Sequence, residues 1–135
     1  MRRMGIWSAA AVLTILSAQV QAFPTLPGYL KDGYKDDASY KAFLETVEGL
    51  KMKCDVCHKP GADKKAKGHG LNDFGKAFHD VFKHRDFQAA HKDKKNDEAM
   101  KLFKEAWDKA VKEKNADGKV FEEFIKEGKL PGKND

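Results

Sequence analysis

Both cysteines of this 135-residue chain fall in one short segment, Cys54-Asp55-Val56-Cys57, and a histidine, His58, follows directly. No feature constrains the chain more, because each use of two thiols at this spacing needs a different setting. A disulfide here closes so short a loop that it restrains the unfolded chain little. A redox-active dithiol usually sits in a strand-rich, thioredoxin-like context. A closed zinc site needs four nitrogen or sulfur ligands. There are no further cysteines, and His69, His79, His84 and His91 do not repeat a finger spacing. Covalent attachment of haem c fits the pattern best. Two thiols on one turn can add to two vinyl groups, giving two thioether bonds. An imidazole at the next position can then reach the iron from one side.

The surrounding pattern is helical. Tyr40, Phe43, Leu44, Val47 and Leu50 recur at helix spacing just before the motif, with Asp36 or Asp37 as cap. Asn72 is placed to cap a second helix whose apolar face is Phe74, Ala77, Phe78, Val81 and Phe82. Gly75 sits inside that helix at a propensity cost of about 1 kcal/mol, which points to a close approach. Asn96 or Asp97 opens a third, with Met100, Phe103, Trp107, Ala110 and Val111 on one side. A last short helix carries Val120, Phe121, Phe124 and Ile125. The Lys- and Gly-rich stretch after His58 and the polar residues 85–97 read as connections. No run alternates as a strand does, so the expectation is an all-α bundle of about four helices.

Residues 1–22 read as a secretory signal peptide. They have a basic start at Arg2 and Arg3, an apolar run over 6–16, and a small-residue end at Val20-Gln21-Ala22. The apolar run is about eleven residues, short of the roughly 20 that span a bilayer. Cleavage after Ala22 would leave a protein without stable membrane insertion, periplasmic or otherwise exported. Residues 23–37, rich in Pro and Gly, read as an irregular N-terminal arm, and 38–135 as the haem domain. The formal charge of +5 falls to +3 once Arg2 and Arg3 are gone. Lysines interleave with acids and leave no basic block with interleaved aromatics, which argues against a nucleic-acid partner.

The segment "CDVCH", followed after a loop by "LNDFGKAF", resembles small bacterial monohaem c-type cytochromes, as does the tail "VFEEFIKEGKLPG". The resemblance spans residues 40–131. It implies a mostly helical fold wrapped around one covalently attached haem, with Cys54 and Cys57 as the thioether cysteines and His58 as the proximal iron ligand. The Met-Pro ligand loop usual in soluble members is not recognisable here.

The sixth iron ligand is the open question. Met100, on the inward face of the third helix, ranks first and His91, in the connection before it, second; each also reads well as ordinary core or surface. The Phe stripe can line a haem pocket or pack a core, and Trp107 can donate to a propionate or be core. The stretch "EKNADGKVFEEF" looks like a calcium loop. Aligning Gly118 to its invariant glycine, however, puts Phe124 where the bidentate Glu is needed, so no calcium is expected. The function that follows is an exported, non-enzymatic one-electron carrier between redox partner proteins. The alternative is a haem protein that binds or senses NO or CO, as one subunit of a heterodimer. A peroxidase role is the weakest, for want of an acid–base pair.

Overall fold

A computed structural model describes residues 25–63 and 65–132. The expected signal peptide lies outside these residues. The chain is all-α, with six α-helices and no strand among the described residues: α1 Leu26–Tyr34, α2 Lys41–Glu48, α3 Asp73–Val81, α4 His84–Lys92, α5 Asn96–Ala110 and α6 Phe121–Lys126. Short 3₁₀ turns at Ala38–Tyr40 and Lys53–Val56 lead into α2 and form the motif turn. No described helix is long and apolar enough to cross a membrane.

Two of the six helices correct the sequence reading. The segment 23–37 is not an irregular arm, since most of it is α1. Pro27 stands in its first turn, where the missing N–H has no intrahelical partner to lose. Leu26, Leu30 and Tyr34 then recur every fourth residue, and Leu30 and Tyr34 are buried. The compact domain therefore begins before residue 38. Likewise 85–97 is not one connection. Its first part is α4, held by two buried residues, Phe87 and Ala90, on an otherwise polar helix.

Helix α5 is the central element and packs against α1, α3 and α4, while α2 packs against α6. Its inward stripe behaves as the periodicity predicts, with Phe103, Trp107, Ala110 and Val111 buried. Around Trp107 gather Phe74, Phe78 and Phe103, with ring centroids 5.0, 6.0 and 5.7 Å away. Phe43 and Val47 of α2, and Phe121 and Ile125 of α6, complete the core. The α5–α6 connection is a tight turn. The Asn115 side chain accepts from the N–H groups of Asp117 and Lys119, and Asn115 N–H donates to the Lys119 carbonyl.

Candidate functional site

The motif turn is built by its own backbone and then clamped from outside. The N–H groups of Cys57 and His58 both donate to the Cys54 carbonyl, at 3.1 and 2.9 Å. This coils the segment so that Cys54, Cys57 and His58 all border one cleft. The clamp is Asn72, fully buried. Its backbone N–H donates to the Cys57 carbonyl (2.9 Å), and its side-chain amide donates to the Val56 carbonyl (3.1 Å). Its side-chain oxygen accepts from Gly75 N–H (2.8 Å), the N-cap of α3. One asparagine thus joins the motif turn to the start of the next helix.

Two glycines let these parts meet. A methyl group at Gly75 would lie 2.0 Å from the Cys57 carbonyl oxygen, the close approach expected of that position. At Gly132 it would lie 2.2 Å from the Asn72 amide nitrogen, so the C-terminal Leu-Pro-Gly segment closes directly over the clamp. The fragments "LNDFG" and "LPG", far apart in sequence, are two sides of one contact.

The loop after His58 returns to it. Lys59 N–H donates to the Gly70 carbonyl (2.8 Å), and His58 pairs with Leu71. His58 Nδ1 lies 2.7 Å from the His69 carbonyl oxygen. A carbonyl only accepts, so Nδ1 carries the proton and Nε2 of the neutral ring carries the lone pair. Such a bond is the usual outer partner of a metal-ligating histidine, fixing its tautomer and raising its basicity. His69 stays on the motif side with its loop, as its sequence position implies.

The cleft is apolar, with a cavity volume of about 230 Å³. That is somewhat below the roughly 300–1,000 Å³ typical of small-molecule and cofactor sites, and its mouth opens to solvent. Beyond the motif residues, Lys53 and Val56, it is walled by Leu26, Pro27 and Leu30 of α1, Phe78 of α3, and Phe103 and Trp107 of α5. Cys54 and Cys57 are free thiols. Burial, with Cys54 alongside, pushes the Cys57 thiol up to about 12, so it stays protonated at neutral pH. Among the described residues, no three His, Cys, Asp or Glu side chains are arranged to hold a metal ion on their own. The set fits haem c: two unpaired thiols and an oriented imidazole on one turn, beside an apolar cleft.

Other expected residues lie elsewhere. Met100 does not border the cleft; its sulfur packs against Gly33 of α1, 3.1 Å from where a methyl would stand there. It is one helical turn before Phe103, so periodicity placed it inward but not against the motif. His91 is not on a loop. It lies in the last turn of α4, stacks on Phe87 with centroids 6.0 Å apart, and its Nδ1 lies 3.0 Å from the Tyr29 hydroxyl. Of the Phe stripe only Phe78 reaches the cleft; Phe74 packs on Phe121 and Phe82 on Phe87. The Trp107 indole N–H donates to the Tyr40 hydroxyl (3.1 Å) rather than being held for a propionate. The α1 wall was missed altogether; its one signal was Leu26 and Leu30, four residues apart behind a proline.

Comparison with protein-family models, curated proteins and solved structures finds no match to this chain.

Proposed function

We propose that the chain is an exported monohaem c-type cytochrome that moves single electrons between redox partner proteins. The observation that carries this reading is the convergence of both free thiols and an oriented His58 on one apolar cleft. Haem, when bound, supplies the one-electron iron couple. Cys54 and Cys57 would hold it by thioether bonds and His58 by its Nε2. The His69 carbonyl keeps the imidazole in the right tautomer. Leu30, Val56, Phe78 and Phe103 keep water from the site, which tunes the potential through burial. Exposed Lys59, Lys65 and Lys67, on the loop after His58, offer positive charge to an acidic partner.

Co-expression with cytochrome c maturation proteins tests the proposal. The expected product is a coloured protein whose haem stays with the chain in acid–organic extraction. Replacing both Cys54 and Cys57 by Ala is expected to abolish that retention. A colourless wild-type product under conditions that mature a control cytochrome would sink the reading.

A second reading, reversible binding of NO or CO, is favoured by the composition of the cleft. Among the described residues, His58 is the one imidazole on its lining, and no methionine borders it. Without a strong sixth ligand, iron takes up diatomic gases. A prompt spectral change when the reduced protein meets CO supports this reading; inertness favours a six-coordinate carrier.

A further inference from the structure

Trp107 borders the cleft, and a continuous aromatic path leads from it to the surface. Its indole N–H donates to the Tyr40 hydroxyl at 3.1 Å. The Tyr40 ring is stacked on Tyr34, with centroids 4.2 Å apart and planes 19° from parallel. The Tyr34 hydroxyl donates to the carboxylate of Asp108, which is exposed to water. All three rings are buried. Core packing alone explains the burial. It does not explain why the two easily oxidised ring types adjoin in series, or why the last phenol ends on a proton acceptor.

We propose that Tyr34 is a redox-active tyrosine, with Asp108 as its proton acceptor, fed through Tyr40 and Trp107 from the cleft. The step balances as follows. A one-electron oxidant takes one electron through Trp107 and Tyr40. The Tyr34 O–H bond breaks, its proton passes to the Asp108 carboxylate to form a carboxylic acid, and a neutral phenoxyl radical remains. Lys104 Nζ, 4.9 Å from the Tyr34 ring centre, opposes loss of an electron alone, because a ring cation would face an ammonium. Coupling to the proton removes that penalty. Burial and Asp108 raise the Tyr34 pKa, so the phenol keeps its proton until oxidation. Tyr29 also meets a base, His91, but its ring neighbours are Phe87, Phe103 and His91 rather than Trp or Tyr. The chain has three tyrosines, so the assignment can be made by elimination.

The redox step at Tyr34 stands without haem; delivery from the cleft rests on the haem reading. The test is therefore in two arms. In the first, the full-length chain in its oxidised form is exposed to photogenerated tris(bipyridyl)ruthenium(III) and followed by transient absorption and EPR. A tyrosyl radical is expected, unchanged in yield in Tyr29→Phe and nearly absent in Tyr34→Phe. Asp108→Asn alters an exposed side chain and should fold normally. It is expected to slow radical formation about tenfold or more, as for loss of a positioned proton acceptor, and to diminish the solvent deuterium effect. A radical that survives Tyr34→Phe at wild-type yield, or forms at wild-type rate in Asp108→Asn, overturns the proposal. In the second arm, hydroperoxide is the oxidant, added to the haem-loaded chain and freeze-quenched. The Tyr34 radical is expected in wild type and strongly reduced in Trp107→Phe; equal yields overturn the path through Trp107. A chain that takes up no haem defeats the haem reading, and the first arm then decides the proposal.

Discussion

The two walls of the cleft are held in different ways. The motif wall is fixed through main-chain groups: the Val56 and Cys57 carbonyls on Asn72, Lys59 N–H on the Gly70 carbonyl, and His58 on the His69 carbonyl. The α1 wall presents Leu26, Pro27 and Leu30 through packing, and the polar links of that helix are made by side chains: Tyr29 with His91, Lys104 with the Gly33 carbonyl and Tyr34 with Asp108. Backbone hydrogen bonds tolerate only small displacements, whereas apolar packing tolerates swaps of similar volume. One wall can therefore hold reactive groups at a set position, and the other can only cover them.

The sharpest way to break this contrast is Gly75→Ala. The added methyl would meet the Cys57 carbonyl oxygen at 2.0 Å, and backbone on both sides must move to admit it. We expect a loss of about 3 kcal/mol or more in urea unfolding, together with a lower yield of attached haem. A loss under about 1 kcal/mol would show that the motif wall is as yielding as the other. Next in size is Leu30→Ala on α1. A buried Leu→Ala change costs about 2–5 kcal/mol, and this side chain borders a cleft that can partly refill, so the lower end applies. Haem attachment is expected to persist, because the thiols and His58 are untouched. Loss of attachment at preserved folding would show that the cover, too, positions the group.

The contrast also explains what could be read from the sequence. The motif wall was legible because its rules are local. The spacing of Cys54, Cys57 and His58 is chemistry within one turn, Asn72 is a cap by type, and Gly75 announced a close contact. The same reading missed that Asn72 also holds the Val56 carbonyl, since nothing in a cap shows what lies on its other side. The α1 wall was illegible because Pro27, Gly28 and Gly33 look like loop composition, and burial of Leu30 and Tyr34 against α5 overrides that. Helix α4 failed for the same reason, with Phe87 and Ala90 as its inward residues. Met100 and His91 show the limit differently. Periodicity says which side of a helix is inward, but not which neighbour it meets.

A gentler probe of the motif side is acid. His84, beside His79 and Phe82 with ring centroids 4.7 Å from each, has its pKa lowered by burial and by the nearby imidazoles. The unfolded chain then binds the proton more readily than the folded one, so stability rises with pH across this range. The contribution is complete above the ordinary value of 6.5 and is lost as pH falls from there toward the lowered folded-state pKa. A melting temperature that drops on acidification from neutral, with a shallower drop in His84→Gln, is the expected outcome. Equal slopes in both proteins would assign the acid sensitivity to other groups.

The smallest effect belongs to Gly33→Ala, the α1 counterpart of Gly75→Ala. Here too a methyl is added to a packed glycine, but the nearest atom is the Met100 sulfur at 3.1 Å, the side chain of an adaptable residue, followed by Lys104 methylenes at 3.7 Å. The thioether can turn aside by a few tenths of an ångström. Against that small strain stands a gain of up to about 1 kcal/mol in helix propensity from replacing Gly in α1. The two nearly cancel, so the unfolding free energy is expected to change by no more than about 0.5 kcal/mol in either direction. The same chemical change then costs several times more at Gly75, where the obstacle is a carbonyl oxygen already hydrogen-bonded to Asn72. A Gly33→Ala loss as large as that of Gly75→Ala would mean that Met100 is held as rigidly as the motif backbone. The two walls would then differ in composition and not in stiffness.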